Sequence, residues 1–154
     1  MSTMEFLDKL KMVFDIEDLK DFHTYDELMP QRKHECTLIL DKKWFRCSFK
    51  KHLIVYDDPV KSLDVQILND HVLDDILGIK DVRNDKRIDF VGGIRGLLEL
   101  EKRTNTDCIA AFAMFPCEVS DLMKVADKGL IMPPKSTWFE PKPRDGFVVK
   151  RFNE

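Results

Sequence analysis

Between Thr37 and Phe49 the chain folds back on itself. Thr37 to Leu40 is a short run rich in β-formers. Trp44 to Phe49 places Phe45, Cys47 and Phe49 on alternate positions. Only Asp41-Lys42-Lys43 lies between the two runs. A connection that short cannot hold a crossover helix, so the pair is read as an antiparallel β-hairpin with a polar turn. The rest of the chain must then supply what covers and extends a sheet.

Helical spacing supplies the cover. Ser2-Thr3-Met4-Glu5 reads as a capping box, followed by Phe6, Leu10, Val13 and Phe14 at helical intervals. A helix cap placed directly after Met1 suits either a short natural start or a chain cut from a longer one. Residues 15–35, punctuated by Pro30, read as a short helix and a loop. Leu53 to Tyr56 fits a short strand or an irregular loop. Val60 to Leu77 reads as a mostly buried helix closed by Gly78. Along it Asp64, His71 and Asp75 share a stripe that either meets solvent or faces a cleft.

After a charged loop from Lys80 to Arg87, Ile88 to Val91 reads as a strand ending at Gly92-Gly93. A helix carrying Ile94, Leu97, Leu98 and Glu101 follows. Cys108 to Phe115 is almost wholly apolar and is expected as a central strand covered on both faces. Glu118 to Lys128 is a helix ended by Gly129. Ser136 to Lys142 and Phe147 to Phe152 flank Pro143-Arg144-Asp145-Gly146, the pattern of a second hairpin. The expectation is one α+β domain over residues 1–154, a mixed β-sheet with packed helices and two β-hairpins.

Composition bounds the function. With 44% hydrophobic and 34% charged residues in 154, the chain is globular and long enough to bury a core. A net charge of -3 opposes a surface built for nucleic acid or anionic lipid. No apolar run approaches the roughly 20 residues that span a bilayer, and no secretory pattern opens the chain. Cys36, Cys47, Cys108 and Cys117 form no C-x-x-C pair, and His23, His34, His52 and His71 lack ligand spacing with them. Reduced thiols, no metal centre and a cytoplasmic setting are expected.

Two segments carry chemistry. In Arg87-Ile88-Asp89-Phe90-Val91-Gly92-Gly93-Ile94-Arg95 a strand would end in glycines that open a helix. Free backbone N–H groups at Gly92 and Gly93, with the Arg95 guanidinium, suit an anion. Glycines also serve strand-to-helix turns for steric reasons alone. The loop lacks the Gly-Lys-Ser/Thr ending of a Walker A motif and does not complete G-x-G-x-x-G. Asp89 has the character of a general base or a ligand for magnesium on phosphate oxygens.

The second segment is Met132-Pro133-Pro134-Lys135-Ser136-Thr137-Trp138-Phe139-Glu140-Pro141-Lys142. Two prolines stiffen a stretch that presents an ammonium and two hydroxyls, a combination that suits an oxyanion. An edge strand guarded by prolines is the plainer alternative.

Three stretches together resemble the C-terminal half of a bacterial and archaeal family, domain of unknown function 1015: Leu63-Asp64-Val65-Gln66-Ile67-Leu68; Ile76-Leu77-Gly78-Ile79 through Arg87 to Gly96; and Ala126-Asp127-Lys128-Gly129 through Lys142. The hairpin around Trp44-Phe45-Arg46 also fits. The resemblance implies a piece of a longer protein whose N-terminal half is its partner, with a homo-oligomer open. It further implies a role on a small phosphate ester, phosphoserine or nucleotide-linked phosphotransfer, with magnesium a candidate cofactor. The alternative is a non-catalytic structural, effector-binding or oligomerisation module. Residues in family-like motifs are Asp89 and Lys135 as catalytic candidates; Gly92, Gly93, Arg95, Ser136 and Thr137 as anion-binding ones; and Asp64, Arg87 and Lys142 in support. His71 and Asp75 drop out.

The cysteine reading has a direct check. Thiol titration of the denatured chain without reductant should find all four cysteines free. A Cys36–Cys47 disulfide across the hairpin would leave only two.

Overall fold

The computed structural model describes residues 1–137. Its elements are α1 (Thr3–Leu10), β1 (Phe14–Asp18), α2 (Tyr25–Leu28), β2 (Glu35–Leu40), β3 (Lys43–Phe49), α3 (Asp64–Leu68), α4 (Gly96–Thr106), β4 (Ala110–Met114) and α5 (Val119–Asp127). The strands form one sheet in the order β1-β3-β2-β4. The class is α+β. Every ladder among the described residues is antiparallel, so the parallel pairs that a mixed sheet would contain do not occur among them. The second hairpin, with Trp138, Phe139 and Lys142, lies outside the described residues.

The hairpin forms as the sequence requires. Leu40 pairs with Lys43, and the two residues between them, Asp41 and Lys42, have φ of 51° and 60°. Two left-handed residues in succession make a type I′ turn, whose twist matches that of the flanking strands. Asp tolerates this region, whereas Lys has no side-chain bond to offset its steric cost.

Strand parity then sorts the core into two layers. Cys36, Leu38 and Leu40 of β2 share a face with Phe45, Cys47 and Phe49 of β3 and with Phe14 of β1. That face meets Phe6 and Leu10 of α1 and Ile67, Leu68 and Val72 of the α3 region. Ile39 and Trp44 point the other way, onto Leu28 of α2 and Leu97 of α4. Helices therefore cover both faces. In β2 the whole strand is buried.

Several expectations change. Phe14–Asp18 is a strand, not part of a helix and loop: Phe14 and Ile16 alternate with Asp15 and Glu17 and pair with Phe49 and Cys47. Of the two readings of Leu53 to Tyr56, the irregular loop holds and the strand does not, with a single 3-10 turn over Lys51–Leu53. Ile88 to Val91 is not a strand either, because no partner strand among the described residues reaches it. The apolar run from Cys108 yields β4, which is an edge strand and not a central one, paired to β2 alone among the described residues. Its apolar character comes from cover above and below the sheet, which says nothing about neighbours within it.

The long helix begins at Asp64 rather than Val60 and changes pitch over Asn69–Asp74, where the bonds widen to i→i+5. Asp75 N–H reaches Asp70 O at 3.1 Å and Leu77 N–H reaches Val72 O at 3.0 Å. Gly78, at φ 64°, lets the chain turn back so that Ile79 N–H meets Leu73 O at 2.6 Å. The Arg87 guanidinium donates to the carbonyls of Leu77 and Gly78 at 3.0 and 3.2 Å, closing the helix end. No helix among the described residues is long and apolar enough to cross a membrane.

Because Lys42 is exposed and left-handed, Lys42→Gly should stabilise the fold by about 0.5–1 kcal/mol, as relief of the αL cost outweighs glycine's added chain entropy. Urea denaturation of the two proteins measures it.

Candidate functional site

The residues that matter here converge from four places. Lys33 and His34 immediately precede β2. Asp64 opens α3. Asp121 lies in the first turn of α5, just after the Met114-Phe115-Pro116-Cys117 exit from β4. Lys135 and Ser136 stand on the turn that follows Pro133-Pro134. Between them is a cavity of about 90 Å³, lined by Lys33, Asp64, Cys117, Asp121, Lys135 and Ser136 over an apolar wall that includes Leu63 and Met114.

Asp64 is only 8% exposed, and both its oxygens are engaged by one residue. Oδ2 accepts the His34 backbone N–H at 2.8 Å, and Oδ1 meets His34 Nδ1 at 2.6 Å. The double contact holds His34 at φ 68°, a left-handed conformation that a bulky residue rarely adopts unaided. Burial pushes the Asp64 carboxyl above its ordinary range, with the His34 contacts opposing.

One residue earlier, Lys33 Nζ meets Asp121 Oδ1 at 2.6 Å. The Asp121 side chain is 6% exposed, and its second oxygen takes no hydrogen bond from the described residues. Nearby, burial and the Asp121 charge push the Cys117 thiol up, against the pull of Lys33. That is the opposite of the thiolate-favouring setting of a reactive cysteine.

The Pro133–Ser136 turn has Pro134 at its second position and Lys135 at its third with φ 60°. Ser136 N–H and Oγ both donate to Pro133 O, at 3.4 and 2.6 Å. This is the sequence logic of a type II turn with lysine where glycine or asparagine is usual. The prolines and the hydroxyl hold Lys135 at the cavity's edge.

Of the residues expected from sequence, Asp64, Lys135 and Ser136 therefore meet. Thr137 is exposed beside them but does not line the cavity. The other segment is elsewhere. Gly93–Arg95 forms a 3-10 turn, so α4 starts at Gly96 and not at the Gly-Gly pair. That helix packs through Leu97 on the face of Ile39 and Trp44, opposite the face covered by the α3 region. Neither Gly92, Gly93 nor Arg95 lines the cavity. Asp89 accepts from Arg103 Nη1 at 2.9 Å and from Phe90 N–H at 2.8 Å, and Arg103 holds its carboxyl below the ordinary range. Arg87 grips Asp85, whose pKa falls to about 2, in addition to closing the helix. Lys142 is outside the described residues. The two segments therefore do not share one cleft: the second reaches the cavity and the first does not.

Four cavity-region residues had no sequence signal. Lys33 and Asp121 pair across 88 positions and His34 and Asp64 across 30. Asp121 had an ordinary explanation as an acidic residue in a helix's first turn. Cys117 was read only as one of four reduced thiols.

No protein-family model, curated protein or solved structure matches the chain. Among the described residues no three His, Cys, Asp or Glu side chains are grouped to hold a metal ion.

The pH behaviour of Asp64 follows from its environment. Its raised value means that the folded chain holds this proton more tightly than the unfolded one. Its contribution to stability is complete below the ordinary carboxylate value and is lost as pH rises through the raised folded value. The stability difference between the natural chain and Asp64→Asn, measured by urea denaturation from pH 3 to 7, should therefore shift against the natural chain as pH rises.

Proposed function

We propose that the cavity binds a small oxyanion, and that the protein acts on a small phosphate ester, phosphoserine or nucleotide-linked, with this chain supplying the anion-binding groups. The observation that carries the reading is that two lysines, Lys33 and Lys135, and Ser136 line one small partly apolar cavity. Lysines bind phosphate through charge-assisted hydrogen bonds, stronger than neutral ones, and Lys33 is partly desolvated. The volume fits a group of a few heavy atoms and falls well short of the several hundred Å³ of a drug-sized pocket. Lys135 in a left-handed conformation is the kind of local strain that binding sites hold in place.

The resemblance to family 1015 points to the same substrate class, and with it to a family N-terminal half as partner. Four free cysteines, two of them buried and facing one another across β2 and β3, suit a reducing, cytoplasmic setting.

A second reading has one observation in its favour. The five residues of β4, Ala110 to Met114, carry no charge and no proline, and Ile109 beside them is 80% exposed. An edge of that kind pairs readily with another strand, as an interaction or oligomerisation module would require.

Calorimetry of the chain with O-phosphoserine separates the two. On the phosphate reading Lys135→Ala weakens binding by about tenfold, the loss of one charge-assisted bond, with an unchanged circular dichroism spectrum. Arg95→Ala leaves the affinity within about twofold, because its side chain is not in the cavity. Absence of binding by the natural chain, together with concentration-dependent dimerisation, would favour the module instead.

A further inference from the structure

β4 ends the sheet among the described residues, yet it has none of the features that blunt an edge. Ala110 to Met114 carries no charge and no proline, and its register with β2 runs from Leu40–Ala110 to Cys36–Met114 without a bulge. Its outward backbone groups can be named. Leu40 and Lys43 close the tight turn, and Phe49 N–H donates to His34 O at 2.9 Å, so the even-numbered residues of β2 bond to β3. Thr37 and Ile39 therefore bond to β4, through Ala113 and Ala111. The N–H and C=O groups of Ala110, Phe112 and Met114 are left pointing away from the sheet, on residues that are all half-buried. None of these three amides has an acceptor among the described residues. Such a row of backbone groups is a template for one more strand.

The chain itself returns to that edge. Ser136 lines the same small cavity as Met114, Phe115 and Pro116, so the backbone reaches Thr137 close to the C-terminal end of β4. Residues 147–152 read Phe-Val-Val-Lys-Arg-Phe, a proline-free run long enough to match β4, and nine residues, 138–146, precede it. Nine residues reach up to about 30 Å, ample for a connection that starts and ends at one end of a strand. The run also carries what β4 lacks. Lys150 and Arg151 are charges of the kind that keep a terminal strand from pairing with another chain.

We propose that residues 147–152 add to the outer edge of β4 as an antiparallel strand, occupying the backbone groups of Ala110, Phe112 and Met114. The phosphate reading does not depend on this pairing, and the open edge of the second reading is its opposite.

Residue-resolved amide hydrogen exchange, followed by NMR, tests it on the natural chain and on Val148→Pro and Val149→Pro. Proline removes the backbone donor, and successive donors of a strand point opposite ways, so one of the two substitutions must strike a bond to β4. The expected result is slow exchange at Phe112 N–H in the natural chain and exchange about tenfold faster in at least one variant, the loss of one hydrogen bond. The N–H groups of Ala111 and Ala113, held by β2, are the internal reference. Exchange at Phe112 as fast as in an unstructured amide overturns the proposal and leaves the edge open to another chain. Slow exchange that neither proline alters also overturns it, because something else then covers the edge. Protection that falls on dilution overturns it in favour of a second copy. The measurement on the natural chain stands without the variants, and a matching circular dichroism spectrum qualifies them.

Discussion

The contact on which the rest of the site depends is the grip of Asp64 on His34. Taking a carboxylate out of water costs several kcal/mol unless donors replace the lost hydration. Here both donors come from one residue, its backbone N–H and its ring. The return is geometric. The grip joins the first residue of α3 to the residue before β2, so the helix covering one face of the sheet is tied to its central strand. It also holds His34 where the chain bends into the strand. Removing the carboxylate would leave both a left-handed histidine and a buried N–H without support.

The position of Lys33 follows from that bend. It sits one residue from a fixed point and reaches Asp121, which is itself delivered by the turn from β4 into α5. The cavity is thus framed by the ends of regular elements: the entry to β2, the first turns of α3 and α5, and the proline turn carrying Lys135. Ends of elements are where a rigid scaffold can present polar groups without giving up ladder hydrogen bonds. The sheet fixes the frame, and the charged groups are arranged around its rim.

How much of this was legible depends on range. The hairpin was, because Phe45, Cys47 and Phe49 alternate and Asp41-Lys42 can form only a tight turn. The capping box was too: Ser2 Oγ accepts Glu5 N–H at 3.2 Å while the Glu5 carboxylate accepts Ser2 N–H at 2.6 Å. Gly78 and Gly129 ended helices as read, both at positive φ. The strand at Phe14 was masked because Val13 and Phe14 continue the helical spacing of Phe6 and Leu10, so one pair of residues satisfied two periodicities. Ile88 to Val91 shows the converse, a local pattern with no strand among the described residues to receive it. For the site, the Lys135-Ser136 pair and Asp64 were visible as polar groups in otherwise apolar or stiff surroundings. Their companions were not. Lys33, His34 and Asp121 acquire meaning only through contacts between distant parts of the chain, which composition and spacing do not encode. The Gly-Gly segment misled for a related reason: its residues are those of an anion loop, but the 3-10 turn and the packing of α4 carry it to the other side of the sheet.

The strand order β1-β3-β2-β4 has a consequence in time. The β2–β3 hairpin closes over two residues, and β1 joins it through pairs such as Asp18 with Phe45, nearer in sequence than the pairs of β2 with β4 such as Leu40 with Ala110. The fourth, β4, reaches β2 only after α3, the wide helical turn and α4 have been threaded, which makes its docking the long-range closure that slows folding. The same asymmetry operates in reverse. Among the described residues β1 and β4 are each paired on one side, so their amides should open to solvent at a lower free energy than those of β2, which holds its protons until the whole molecule unfolds. Since the cavity borrows its wall from the end of β4 and its acid from α5 just beyond, its lifetime is that of the last strand to arrive.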